Sequence, residues 1–406
     1  MSSKRTPLAR VVAGLAFAAA CIAPLRAAIA SPTPASPPAS APSAKATEPL
    51  MATKLSDEAK QRIASAVQTA AGRAQYRGCF VVAIADDAVL CSGRGVRIPE
   101  APRDRDGGKP IDDQSIFEIA SISKPFTAIA IMQLVEQGKI ELDAPITRYL
   151  EDDLVDLPLA DESAAAKVTI RQMLSHQTGL DNDGGIARYD EPSRQAAVIT
   201  FFNSKKLAEP GTRFDYNNAA YCILAAIIEN VSGQRFEDYM REQVFAPAKM
   251  TSTGFPPGDT LDQSQRVRRK ARYAFHDHPW GWGYRGCGGI LTTPRDVVAF
   301  AKALDAGDLV TLESLALMYQ PGKHARGQLP DTTYGLGWFI NTRDGMLRAS
   351  HSGGSFGCKA MMVRYPNQRV TLAAFTDDTA DPFAIVNAAE TALLEELKAL
   401  REAQAK

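Results

Sequence analysis

The chain has 406 residues, of which 45% are hydrophobic, 23% charged and 7% aromatic, a composition that buries a sizeable core and excludes a disordered or fibrous protein. Lys plus Arg total 46 and Asp plus Glu total 46, so the basic footprint of a nucleic-acid or polybasic membrane-surface protein is missing and nucleic acid is not an expected partner. No run of about eighteen apolar residues occurs, which excludes an ordinary transmembrane helix, and the 6 cysteines include no C-x-x-C pair of the kind that holds structural zinc.

At the N-terminus, Lys4, Arg5 and Arg10 precede the apolar stretch Val11 to Cys21, and Ala28-Ile29-Ala30 offers small residues for cleavage before Ser31. This is the pattern of an export signal over residues 1–30. Residues 31–54, with Pro32, Pro34, Pro37, Pro38 and Pro42, read as a Pro/Ala/Ser-rich linker, which leaves 55–400 for the folded domain. A periplasmic or secreted product is expected. Ala18-Ala19-Ala20-Cys21 also resembles a lipoprotein processing site, but Ala18 stands where a larger aliphatic residue is usual, so lipid anchoring through Cys21 is the lesser alternative. Without Cys21 five cysteines remain, an odd number for an oxidising compartment, and at least one is expected unpaired.

Ser56 followed by Asp57 and Glu58 predicts a helix N-cap with an acidic first turn, and Gly72 supplies a stop. Phe80 to Ala85 and Ala88 to Cys91 predict a hairpin around Asp86-Asp87, and a two-residue turn there places Cys79 and Cys91 on opposite faces. From Ser121 to about Arg268 the pattern is mainly helical, as in Ala128 to Val135 and Tyr221 to Val231. Leu336 to Asn341, Met346 to His351, Lys359 to Tyr365 and Val370 to Phe375 then predict an antiparallel meander with turns at Asp344-Gly345 and Pro366-Asn367. Ile385, Ala388, Ala392, Leu393 and Leu397 recur at helical spacing in an amphipathic helix over Pro382 to Leu400. Strands, helices and strands in that order predict an α+β fold: an antiparallel sheet flanked by helices, a helical subdomain over about 121–268, and the active site in the cleft between them.

Ser121-Ile122-Ser123-Lys124 is the S-x-x-K of the chain and opens a helix that runs from Pro125 to Gln137. Residues three apart share a helix face, so the Lys124 amine can reach the Ser121 hydroxyl. A serine hydroxyl needs a base to take its proton before it attacks, and a desolvated lysine can help to do so. On its own the spacing is weak, because Ser is a common cap and Lys a common exposed helical residue. It has company: Tyr216-Asn217-Asn218 at the start of another helix, and His351-Ser352-Gly353-Gly354 at the end of a strand.

With these three motifs in this order the sequence resembles the serine β-lactamase and penicillin-binding-protein superfamily, in its class C, DD-peptidase and family VIII esterase branch. Phe117-Glu118-Ile119-Ala120, Leu174 to Leu180 and Gly288 to Asp296 look like further recurrent segments of that family. The resemblance implies that Ser121 is acylated, that Lys124 and Tyr216 share proton transfer, and that Asn218, His351, Ser352 and Gly353 contact substrate. It also implies an oxyanion hole made by the N–H groups of Ser121 and Gly354, and no metal or other cofactor. The expected protein is an exported monomeric serine hydrolase acting on small-molecule or peptide substrates, cell-wall fragments among them: D-alanyl peptides, D-amino-acid amides or short esters. A class C-like β-lactamase is the alternative within the class, and a penicilloyl-binding sensor with little turnover the alternative outside it.

Four features compete with this reading. Tyr365-Pro366-Asn367 repeats Tyr-x-Asn in a turn context. Gly353-Gly354-Ser355-Phe356-Gly357 matches the G-x-S-x-G nucleophile elbow, but a strand-like run follows it and His351 is the last histidine, so the later partners of a triad are missing. His276-Asp277-His278 lacks further clustered ligands for a metal. His176 is expected to be a hydrogen-bonding residue of its loop. Finally, the third motif begins with histidine where β-lactamases of this branch usually carry lysine. Arg348 cannot replace that charge, because three residues along a strand its side chain points to the opposite face.

Overall fold

The computed structural model describes residues 56–73, 77–84, 87–95, 109–155, 157, 162–181, 193–255, 261–262, 266–267, 281–325, 331–355, 358–377 and 381–404. The leader and linker expected over 1–54, and His276 to His278, lie outside the described residues. Among the described residues no helix is long and apolar enough to cross a membrane.

The strands are β1 (Gly78–Ile84), β2 (Asp87–Arg94), β3 (Phe117–Glu118), β4 (Leu291–Thr292), β5 (Thr333–Tyr334), β6 (Phe339–Arg343), β7 (Met346–Gly354), β8 (Lys359–Tyr365) and β9 (Val370–Thr376). Seven of them form one antiparallel sheet in the order β2-β1-β9-β8-β7-β6-β5, while β3 and β4 pair separately. The N-terminal hairpin thus joins the C-terminal meander edge to edge, with Gly78 opposite Thr376. The helices are α1 (Asp57–Arg73), α2 (Ser123–Glu136), α3 (Glu151–Leu154), α4 (Ile170–Leu174), α5 (Arg194–Phe202), α6 (Asn218–Ser232), α7 (Phe236–Tyr239), α8 (Pro294–Ala306), α9 (Leu312–Met318) and α10 (Pro382–Gln404). This is the α+β arrangement, an antiparallel sheet flanked by helices, that the sequence predicts.

Strand alternation sorts the core into two. Phe80, Val82 and Ile84 of β1 join Ile63 and Val67 of α1 and Ile385, Leu393 and Leu397 of α10 on one face. Cys79, Val81 and Ala83 point the other way, into the core shared with α2, α6 and α8. A period of two in the strands and of 3.6 in the helices is what allows both faces to be buried at once. Ser56 caps α1 as expected, its Oγ accepting the Ala59 N–H.

The hairpin corrects one expectation. Val82 pairs with Leu90 but Ile84 with Asp87, an irregularity that shifts the register by one before the turn. Cys79 then sits opposite Gly93 and Cys91 opposite Val81, so the two cysteine positions share a face. Cys79, Cys222, Cys287 and Cys358 are buried. A second correction concerns Ser121, which sits in a 3-10 turn (Ala120–Ile122) before α2 instead of inside the helix.

On the α10 side of the sheet, Glu390 is fully buried and pairs with Arg343 and Arg348, while the Tyr365 hydroxyl donates to it. Arg348 therefore lies on the face away from His351, as the strand parity requires, and the second Tyr-x-Asn is a core contact plus a turn. Removing one partner from a buried ion cluster leaves uncompensated charge. Glu390→Ala is expected to destabilise the fold by about 3–5 kcal/mol in urea denaturation, with kcat per folded molecule unchanged.

Candidate active site

Backbone geometry at the S-x-x-K turn is set by what surrounds it. The Ile119 N–H donates to the Ile290 carbonyl at 3.1 Å, which ties the turn to the segment before β4. Ala120 is then held at φ +44°, a left-handed value that non-glycine residues rarely adopt. From the other side β7 presses in: a Cβ on Gly353 would lie 2.0 Å from the Ile119 carbonyl oxygen and 3.2 Å from the Ser121 nitrogen. Only glycine permits that approach. It brings the strand end at Gly354 to the same cavity as Ser121.

Lys124 is fully buried, and its Nζ donates to Ser121 Oγ and to the Cys287 carbonyl, each at 3.0 Å. The ammonium position is also 4.8 Å from the Tyr216 ring centroid and 5.6 Å from that of Tyr221. The loop carrying Cys287 is wedged between helices: Thr127 Oγ1 of α2 donates to the Gly286 carbonyl at 2.8 Å, and a Cβ on Gly286 would lie 2.2 Å from the Tyr221 carbonyl of α6.

Tyr216 is fixed from behind by the residues around it. Asn217 caps α6, its Oδ1 accepting the Ala220 N–H at 3.0 Å, and its own N–H donates to His176 Nδ1 at 3.0 Å. The His176 ring packs against the Tyr216 ring with centroids 4.2 Å apart and planes tilted by 37°. His176 is thus the hydrogen-bonding loop residue the sequence suggests, and it also props the phenol. Ser121, Tyr216, His351, Ser352 and Gly354 line a cavity of about 300 Å³, together with Phe214 and Phe339. Asn218 begins α6 half-buried and is not among the lining residues, and Gly353 is buried behind them. The three motifs therefore converge, with Lys124 beneath the cavity floor. Phe214, Phe339 and the Cys287 carbonyl are additions the sequence reading missed; the two phenylalanines flank motif positions, but nothing local marks them as cavity walls.

His351 is 1% exposed. Its Nδ1 donates to the Ser352 carbonyl at 2.7 Å, and its Nε2 lies 3.0 Å from the Tyr334 hydroxyl, from which the neutral ring accepts. Burial, with the Lys124 charge added, pushes its pKa down to about 3. Burial and then Lys124 also hold His176 well below the usual imidazole range, and its Nδ1 must stay unprotonated to accept the Asn217 N–H. Glu118 shows the opposite shift: burial raises its carboxyl above the usual range, against hydrogen bonds from Tyr284 and Ser355.

The family model described as Beta-lactamase matches residues 61–396. The chain belongs to that family. It is 29% identical over 313 residues to "Penicillin-binding protein 4*" of Bacillus subtilis (strain 168), covering 70% of this chain and 66% of that one. Against "D-alanyl-D-alanine-carboxypeptidase/endopeptidase AmpH" of Escherichia coli (strain K12) it is 25% identical over 287 residues, covering 66% of this chain and 72% of the relative. Among solved structures, a penicillin binding protein from Bacillus halodurans superposes with a TM-score of 0.65 at 25% identity, covering 80% of this chain and 98% of that one.

The two neutral imidazoles give a pH signature. An unfolded imidazole takes up a proton near pH 6.5, whereas His351 in the fold resists it down to about 3, so stability is lost as pH falls through that window. Each such group contributes a slope of about 1.4 kcal/mol per pH unit there. His351→Asn is expected to flatten the decline in unfolding free energy between about pH 6 and 4.5 relative to wild type; an unchanged slope in urea titrations contradicts the assignment.

Proposed function

We propose that this protein is an exported acyl-transfer hydrolase that forms an acyl-enzyme on Ser121 and acts on short esters, D-amino-acid amides or D-alanyl peptides. The observation that carries the reading is the 3.0 Å contact between Lys124 Nζ and Ser121 Oγ at the floor of a cavity that Tyr216 also lines. Ser121 Oγ attacks the substrate carbonyl while Lys124 and Tyr216 take up its proton and return it to the leaving group. The tetrahedral oxyanion is held by the N–H groups of Ser121 and Gly354, whose fixed dipoles need no reorganisation as charge develops. A water, deprotonated by the same pair, then releases the acyl group. Asn218 orients the substrate amide or the lysine.

His351 sets the preference among substrates. A β-lactam carries a carboxylate, and neither a neutral imidazole with both nitrogens engaged nor an Arg348 paired to Glu390 across the sheet offers that anion a charge. The aromatic walls Phe214 and Phe339 suit an uncharged group instead. Higher kcat/KM is expected for p-nitrophenyl esters and D-amino-acid anilides than for a chromogenic cephalosporin at about pH 7.5, and His351→Lys should raise cephalosporin turnover relative to neutral esters. A tenfold or greater wild-type preference for the cephalosporin would make β-lactamase the better name.

Ser121→Ala should abolish turnover and covalent labelling by a fluorophosphonate, whereas Ser355→Ala should still carry the label on Ser121. Tyr216→Phe should lower kcat about 100-fold or more, as loss of a general acid/base does, while Tyr365→Phe leaves kcat near wild type. Mass spectrometry of the labelled peptide and steady-state kinetics check these outcomes; an adduct on Ser355 would refute the choice of nucleophile.

A further inference from the structure

Glu118 is a carboxylate 2% exposed, three residues before Ser121, that the acyl-transfer chemistry does not use. Each of its oxygens has its own hydroxyl donor. Tyr284 donates to Oε1 at 2.7 Å and Ser355 to Oε2 at 3.0 Å. Neither donor is incidental to the site. Ser355 directly follows Gly354, the last residue of β7, and its backbone N–H donates to the Cys358 carbonyl at 2.9 Å. Tyr284 stands at the head of the loop whose Cys287 carbonyl holds Lys124, and its ring is packed so closely on that loop that a Cβ on Gly288 would meet it at 2.4 Å.

We propose that Glu118 is a positioning residue that clamps the Gly354 end of β7 through Ser355 and the Lys124-binding loop through Tyr284, setting both against Ser121. This rests on the Ser121 acyl-enzyme reading. The oxyanion donor and the lysine acceptor reach the site on chain segments remote in sequence from Ser121, and both stand at the end of an element: Gly354 is the last residue of β7 and Cys287 lies in the loop before β4. A misplacement of about 1 Å in a catalytic group can cost about a hundredfold in rate. A carboxylate suits the task, because hydrogen bonds to it are stronger than neutral ones, and Glu118 is itself pinned by the pairing of β3 with β4. The clamp needs the two contacts more than it needs charge. Burial already works against the ionised form, and a glutamine can keep both contacts, since each hydroxyl can either donate or accept. Ser355, the serine of the G-x-S-x-G match, thereby acquires a role that is not nucleophilic.

The test uses the full chain with the variants Ser355→Ala, Tyr284→Phe, Glu118→Gln and Glu118→Ala. It reads kcat and KM on p-nitrophenyl butyrate, the second-order rate and site of fluorophosphonate labelling, and thermal midpoints. Ser355→Ala and Tyr284→Phe are each expected to lower kcat and the labelling rate about tenfold with KM within about twofold. Glu118→Ala should lower both rates about 100-fold, and Glu118→Gln should recover to within about fivefold of wild type. The label still goes to Ser121 at full stoichiometry. Wild-type rates in both Ser355→Ala and Tyr284→Phe would overturn the clamp, including the case in which Glu118→Ala fails to fold. A Glu118→Gln variant as impaired as Glu118→Ala would also overturn it, by showing that the charge matters and the contacts do not. A wild-type protein that takes no label on Ser121 would instead overturn the acyl-enzyme reading, so the two failures are distinguishable.

Discussion

A fully buried amine dictates much of this architecture. Lys124 is shut off from bulk solvent, and an amine buried without hydrogen-bond partners costs several kcal/mol. Its partners are the Ser121 hydroxyl, the Cys287 carbonyl and the faces of Tyr216 and Tyr221, with no carboxylate among the described residues. A carboxylate in that place would compete with Ser121 for the amine. A backbone carbonyl and two aromatic faces hold it more weakly and leave it directed at the serine.

Meeting that constraint requires segments distant in sequence to approach at backbone distance. Gly286 lets the Cys287 loop sink between α2 and α6, and Gly353 lets β7 lie against the turn at Ile119 and Ser121. Both contacts exclude a Cβ, so the site is assembled by main chain touching main chain. The sheet supplies rigidity behind it, with β7 in the interior of seven strands and its rear face closed by α10 through Glu390. Strained backbone at Ala120 is tolerated because the pairing of β3 with β4 and the β7 contact fix it from two sides.

Much of this could be read from the chain. The S-x-x-K spacing, the Tyr216 triplet and the strand ending at His351 are side-chain patterns in register with local structure, and they converge on one cavity. Strand parity placed Arg348 away from the site, and the long helices and the meander follow their hydrophobic periods. Other features left no side-chain signal. The lysine acceptor is a carbonyl of Cys287, which any residue could supply. β3, β4 and β5 are two-residue pairings too short to show alternation. The irregularity between Val82 and Ile84 reversed the facing inferred for Cys79 and Cys91, because a one-residue shift flips every later side chain. Burial, finally, decides the state of His351: its residue type suggests partial charge at neutral pH, and burial beside the Lys124 charge removes it.

In the acyl-enzyme mechanism proposed above, an oxyanion formed on Ser121 lies between the N–H groups of Ser121 and Gly354 while Lys124 stays on the Cys287 carbonyl. A crystal structure of the protein trapped with a phosphonate ester tests it directly. The account predicts a covalent bond from Ser121 Oγ to phosphorus, with one phosphonyl oxygen about 2.7–3.1 Å from both N–H nitrogens and the Lys124 to Cys287 contact intact. An adduct on another residue, or a phosphonyl oxygen turned to solvent away from Gly354, would contradict it.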